Sequence, residues 1–502
     1  MLTERVSGIL LHPTSLPGSH GSGDFGADAY RFVDWLVSAG QTYWQMLPLG
    51  EIGPGNSPYM SSSAFAGNIL LVDLAELGEQ GWLEEEDLKP HPGFDPERVD
   101  FSLVQPFRMA RLRRAAQAFF ATSKRNQISY FEFCDLERDW LEDYALFMTL
   151  NGSHNGLSWS KWPADLCNRK PHALRQITES CREEMGFWKF CQWCFSRQWL
   201  KLKQYANERG VRIIGDVPIF VAYQSADVWA HQELFELDEQ GHSIVVAGVP
   251  PDYFSETGQL WGNPLYRWAA HEQSGFAWWV ARLRHALNLF DLVRIDHFRG
   301  FAGYWEIPAG SATAMTGRWV PGPGAKFFDA LQNALGKLPI IAEDLGVITP
   351  DVVELRERFN LPGMRVLQFA FGEDESHYFL PHNYVPNSVA YLGTHDNDTS
   401  IGWWNSATEG EKTFARKYLD SDGIQIHWDM IRVISKSEAN TVIIPMQDVL
   451  GLPSAHRMNY PGQHEGNWLW RFSWNLVRPE LTLDLAKISS ETGRVRRAVR
   501  DS

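Results

Sequence analysis

A chain of 502 residues with 46 basic and 61 acidic side chains carries a formal charge of −15, which argues against a protein that binds by neutralising phosphate backbones. Its 44% apolar and 21% charged content is that of a globular protein able to bury a large core without disulfides or a structural metal. No apolar run is long enough to span a bilayer, and the start Met1-Leu2-Thr3-Glu4-Arg5 leads into too short an apolar stretch for a secretory signal. A cytoplasmic protein with neither membrane nor nucleic-acid partner is expected.

In chain order, the first short β-branched runs are Gly8–Leu11 and Tyr43–Pro48. Between Pro48 and Val211 the pattern turns helical. Met109, Leu112, Ala115, Ala116 and Phe119 recur at helical spacing, and a helical insertion is predicted over 74–185. Phe187, Phe190, Cys191, Cys194, Phe195, Trp199 and Leu202 then recur at helical intervals up to Gly210. The Cys191–Cys194 spacing suits a redox or zinc pair, but on that apolar face both thiols read as core. Five cysteines, an odd count in a long chain, point to reduced thiols. A strand follows at Val211–Asp216, then a second insertion over 222–290 with a loop rich in Gly and Pro at Gly248–Pro264. The remaining runs are Leu292–Asp296, Pro339–Glu343, Met364–Ala370, Val389–Thr394 and Thr441–Pro445. Eight nearly continuous apolar strands separated by helices predict an α/β fold, a single (β/α)8 barrel over 1–502 with both insertions packed on it.

Four runs end in, or lead directly into, carboxylates: Ile213-Ile214-Gly215-Asp216, Val293-Arg294-Ile295-Asp296, Ile340-Ile341-Ala342-Glu343-Asp344 and Leu392-Gly393-Thr394-His395-Asp396. An acid at the carboxyl end of an apolar strand is costly to desolvate unless something pairs or uses it, and in a barrel that end is where active sites assemble. Side chains alternate along a strand, so Arg294 and Asp296 share a face, and the arginine keeps the carboxylate ionised as a nucleophile must be. Asp296 and Glu343 lie one crossover helix apart, on neighbouring strands. A carboxylate paired with a carboxylic acid is the apparatus of glycoside cleavage. The chain is also rich in flat rings, with 22 Trp, 15 Tyr and 29 Phe, and such rings stack on sugars as readily as they fill cores. No phosphate loop, dinucleotide fingerprint, zinc helix or nucleophile elbow occurs. No cofactor or metal is implied, and the acids suit a hydrolase or a transglycosidase equally.

Several further runs are specific in this order: Ser57-Pro58-Tyr59, Ala66-Gly67-Asn68, Gly215-Asp216-Val217-Pro218-Ile219, Pro250-Pro251-Asp252-Tyr253-Phe254-Ser255, Gly258-Gln259-Leu260-Trp261-Gly262-Asn263-Pro264, Arg294-Ile295-Asp296-His297-Phe298-Arg299-Gly300, Ala342-Glu343-Asp344-Leu345-Gly346, Gly393-Thr394-His395-Asp396-Asn397 and Gly466-Asn467-Trp468. With them the chain resembles the 4-alpha-glucanotransferases (amylomaltases) of glycoside hydrolase family 77, within the α-amylase clan. The resemblance implies retaining transfer of α-1,4-glucan segments from maltooligosaccharides to another glucan or to glucose. It implies Asp296 as nucleophile, Glu343 as general acid/base and Asp396 as the third acid, with Arg294 tuning Asp296 and His395 bonded to the same sugar. Tyr59 and Asp216 resemble residues around the donor sugar. His297, Trp261, Asn263, Asp344 and Asn467 resemble binding or supporting residues. Asp252, Tyr253 and Phe254 resemble the tip of a loop that covers the glucan. Neither additional N-terminal domains nor a C-terminal β-sandwich are expected. An α-glucan hydrolase of the same clan and a non-catalytic glucan-binding barrel remain the rival readings.

Overall fold

The structure, a computed structural model, describes residues 3–251, 255–372, 377–463 and 465–495. Twelve strands occur among them: β1 (Val6–Leu10), β2 (Tyr43–Gln45), β3 (Arg212–Pro218), β4 (Val245–Val249), β5 (Gln259–Pro264), β6 (Leu292–Asp296), β7 (Gly303–Pro308), β8 (Arg318–Pro321), β9 (Ile340–Ala342), β10 (Gly363–Val366), β11 (Ser388–Tyr391) and β12 (Thr441–Pro445). Eight of them close a parallel barrel in the order β1-β12-β11-β10-β9-β6-β3-β2, and these are the eight apolar runs. Their residues are buried on both faces: every position of β1, β2, β9, β10, β11 and β12 is inaccessible. Alternation is lost because helices cover the outside of the barrel while side chains fill its inside. At Gly8 the packing leaves no room for a side chain; a Cβ there would stand 2.4 Å from the carbonyl oxygen and Cβ of Tyr43 on β2.

The strands differ in extent from the runs that predict them. β10 and β11 stop at Val366 and Tyr391, short of Ala370 and Thr394, and β9 ends before Glu343. β3 continues past Asp216 to Pro218, which lies opposite Asp296 in the ladder. Apolar character persists beyond the last ladder bond because the barrel rim is itself covered, so the strand ends peel away while still buried.

The helical layer between β2 and β3 comprises chiefly Phe101–Ala121, Ile128–Leu136, Arg138–Ser153 and Arg182–Glu208. The last of these is joined to β3 by Arg209, Gly210 and Val211 and carries Cys191 and Cys194, both fully buried. A second sheet, antiparallel in the order β5-β4-β7-β8, is not foreseen by the sequence. It draws β4 and β5 from the 222–290 segment and β7 and β8 from the stretch after β6. These short strands are interrupted by Gly248, Gly262, Pro264 and Pro308 and leave Leu260 and Trp319 in solvent, so no clean alternation marks them. No helix among the described residues is long and apolar enough to cross a membrane.

The barrel seam is locked by one side chain. Arg494, fully buried after the helix Pro479–Glu491, donates to the carbonyls of Val6, Ser435, Ser437, Ala439 and Asn440 at 2.7–3.2 Å. Truncation would leave five carbonyls without this donor. We expect Arg494→Ala to destabilise the protein by about 3 kcal/mol, read as a lowered Tm in scanning calorimetry.

Candidate active site

Because the barrel strands run parallel, their carboxyl ends share one mouth, and the four carboxylate-bearing ends meet there. Asp216 on β3 lies opposite Arg294 on β6. The Arg294 guanidinium donates through Nη1 to both Asp216 oxygens at 2.8 Å and through Nη2 to Asp296 Oδ1 at 2.9 Å. Arg294 and Asp216 are buried, whereas the Asp296 side chain is 31% exposed. The arginine thus holds Asp296 by one oxygen and leaves the carboxylate open to the cleft.

Glu343 follows β9, next to β6. Its Oε2 accepts from the His297 amide at 2.6 Å and its Oε1 from the Leu345 amide at 2.9 Å. His297 reaches this position in a left-handed backbone conformation, φ 52°, which an L-residue adopts at a cost and which recurs at functional sites. Burial, reinforced by the Asp296 charge, raises the Glu343 carboxyl to about 8, against the opposing pull of Arg294 and the two amides. Glu343 therefore holds its proton at neutral pH while Asp296 stands beside a guanidinium: two carboxyls with two environments.

Asp396 comes from the loop after β11. Asn459 Nδ2 donates to its Oδ1 at 2.6 Å, and His395 Nε2 stands 3.3 Å from its Oδ2. Tyr59 links this side of the mouth to the other. Its hydroxyl donates to Asp216 Oδ2 at 2.7 Å and lies 2.9 Å from His395 Nε2. A phenol has a single proton, so the bond to His395 requires the Nε2–H form of that imidazole as donor. Asp396, His395, Tyr59, Asp216, Arg294 and Asp296 form one chain of contacts with no link longer than 3.3 Å. The Tyr59 ring also stacks on His395, with centroids 5.2 Å apart, and both pack against Trp468.

The other predicted residues fall in two groups. Trp261 on β5 stands edge-on to the His297 ring at 4.8 Å, and burial lowers the His297 imidazole to about 4, so it is neutral. Asn263, Asp344 and Asn467 make hydrogen bonds or ion pairs within the protein. Asn263 donates to the Val221 carbonyl, Asp344 pairs with Arg356 at 2.8 Å and accepts from the Met364 amide, and Asn467 bridges Tyr460 and Gln463. Asp252, Tyr253 and Phe254 lie outside the described residues.

Several participants have no sequence signature. Asn459 and Arg457 hold the side chain and the carbonyl of Asp396. Glu51 accepts from Ser62 and from Tyr144 of the helical layer. Gln192 clasps both the amide and the carbonyl of Gly67, at 2.8 and 2.9 Å, and Asp227 accepts from the Ala64 amide. Glu51, Gln192 and Asp227 together brace the loop that delivers Tyr59.

A family model for glycoside hydrolase family 77, described as 4-alpha-glucanotransferase, matches residues 11–477. The chain is 51% identical over 500 residues to the 4-alpha-glucanotransferase of Thermus thermophilus, covering 98% of this chain and 99% of that one. It is 48% identical to the chloroplastic/amyloplastic 4-alpha-glucanotransferase DPE1 of Arabidopsis thaliana, over 93% of this chain and 82% of that protein. Among solved structures it superposes on the amylomaltase from Streptococcus agalactiae in complex with acarbose, with a TM-score of 0.96, 38% identity, and coverage of 98% of this chain and 100% of that one.

Two outcomes are expected from this geometry. As pH rises through about 8, Glu343 loses its proton and kcat/KM should fall along an alkaline limb centred there. Tyr59→Phe removes the donor to Asp216 and the acceptor for His395, and should lower kcat about tenfold in steady-state assays.

Proposed function

The chain belongs to glycoside hydrolase family 77, the 4-alpha-glucanotransferases, and transfers α-1,4-glucan segments between glucans through a covalent glycosyl-enzyme; on that premise we propose how its residues divide the work. Asp296 is the nucleophile, Glu343 the general acid/base, and Asp396 grips the hydroxyls of the sugar undergoing substitution. Glu343 gives its proton to the bridging oxygen as Asp296 attacks the anomeric carbon, and the shortened glucan leaves. The carboxylate left on Glu343 is received by the His297 and Leu345 amides, which favour the ionised form. It then takes the proton from the 4-hydroxyl of an acceptor, whose oxygen displaces Asp296 and restores the resting state.

The observation that carries this reading is the shared guanidinium: Arg294 binds Asp296 and Asp216 while Glu343 sits buried on the next strand end. Tyr59, His395 and Trp468 form the wall against which the donor sugar rests, with Asp216 beneath. Trp261 and His297 flank the opposite side. Asn263, Asp344 and Asn467 support the loops around them, and Asp252, Tyr253 and Phe254 contact the glucan. Donors are maltooligosaccharides, and acceptors are other glucans or glucose. Nucleic acids and membranes are not partners, and the protein works in the cytoplasm, where its five free thiols remain reduced.

The roles are separable. With maltotriose, the wild type should release glucose and build longer glucans at a constant number of reducing ends. Asp296→Asn and Glu343→Gln should each fall at least about a thousandfold. With α-maltosyl fluoride, whose leaving group needs no acid, Glu343→Gln should regain glycosylation and Asp296→Asn should not. Recovery of both, or of neither, would contradict the assignment.

A further inference from the structure

The antiparallel sheet carries an aromatic pair that the chemistry above does not use. Trp305 on β7 and Trp319 on β8 are directly opposed in the ladder. Their rings meet edge to face, with centroids 5.3 Å apart. Trp305 is fixed from behind, since its Nε1 donates to the Ala314 carbonyl at 2.9 Å. It also lies against Gly317, where a Cβ would stand 2.2 Å from that same nitrogen. Trp319 is 42% exposed, although the Arg299 guanidinium lies over its ring at 3.9 Å from the centroid.

Arg299 ties this ring to both catalytic strand ends. It sits in the turn Phe298–Phe301, directly after Asp296 and His297. Buried itself, it donates through Nη1 to the carbonyl of Val347 at 2.6 Å, in the loop that leaves Glu343. Its Nε donates to the Gly303 carbonyl at 3.3 Å. A large ring with a cation over one face and a second indole in edge-to-face contact is restrained and pre-oriented, yet it stays 42% exposed. Such a ring stacks on the C–H face of a neutral sugar with little loss of conformational entropy.

Its position sets the ligand. In the proposed mechanism Glu343 protonates the departing glucan and later deprotonates the incoming one, so the Glu343 side of the cleft is the acceptor side. We propose that Trp319, propped by Arg299, is a stacking platform for an α-1,4-glucan acceptor beyond the sugar that faces Glu343, and that it favours long acceptors over short ones. The inference rests on the assignment of Glu343 as acid/base.

The test holds the donor constant and varies the acceptor from glucose to maltohexaose. Trp319→Ala should raise KM for maltohexaose about tenfold and KM for glucose less than twofold, with kcat little changed. Trp319→Phe should fall between that variant and wild type. Arg318→Ala, an exposed neighbour paired with Glu306, serves as the control and should match wild type. An effect equal at all acceptor lengths, or absent at all of them, would overturn the proposal. So would a dimer of wild type that Trp319→Ala dissociates without any dependence on acceptor length, because the ring would then serve self-association. A fully active Glu343→Gln on maltotriose would instead remove the premise, and with it the identification of this side as the acceptor side.

Discussion

Two carboxylates share the guanidinium of Arg294, and the remainder of the mouth is arranged around that sharing. Asp216, buried and accepting two bonds from the arginine and one from Tyr59, fixes where the cation sits. The cation in turn fixes Asp296, and its charge opposes the burial that raises Glu343 one strand away. A buried charge pair gives little net stability, because desolvation offsets most of its attraction, but loss of one partner strands the other. The triad therefore acts less as a brace than as a device that fixes Asp296 beside a guanidinium while burial raises Glu343 on the neighbouring strand end. It depends on β-strand alternation, which turns Arg294 and Asp296 to the same face, and on the β3–β6 register, which sets Asp216 opposite Arg294.

The residues that complete the mouth arrive from far along the chain. Tyr59 is carried by a loop whose ends are pinned by Glu51, Gln192 and Asp227, so the helical layer positions a side chain in contact with Asp216 and His395. Asp396 is held by Asn459 from another loop. The mouth is thus shaped by hydrogen bonds within the protein itself, and a site whose polar groups are fixed in this way spares the reaction reorganisation.

Much of this was legible in the linear chain for simple reasons. A strand buried on both faces must be apolar nearly throughout, and eight such runs separated by helices have few solutions other than a closed barrel. An acid that ends such a run must be paired or put to use, which is what marks these positions in the chain. The second sheet was not legible, since its strands are short, broken by Gly and Pro, and half in solvent, and two of them lie beyond β6. Nor were Glu51, Gln192 and Asn459, because a polar residue bracing a loop from a distant element leaves no local pattern. Asp344 shows the limit from the other direction. It follows an apolar strand as directly as its neighbours, yet an ion pair with Arg356 accounts for it.

The seam between β1 and β12 bears on how the molecule is made. The first strand of the barrel finds its last neighbour only once Thr441–Pro445 has been synthesised, and Arg494 closes the joint later still. A nascent chain leaving the ribosome must therefore keep one flank of β1 unpaired through most of translation, with an open, apolar ladder available to other chains. Barrel closure is in this sense a property of the whole polypeptide, and a truncated product would present that flank permanently.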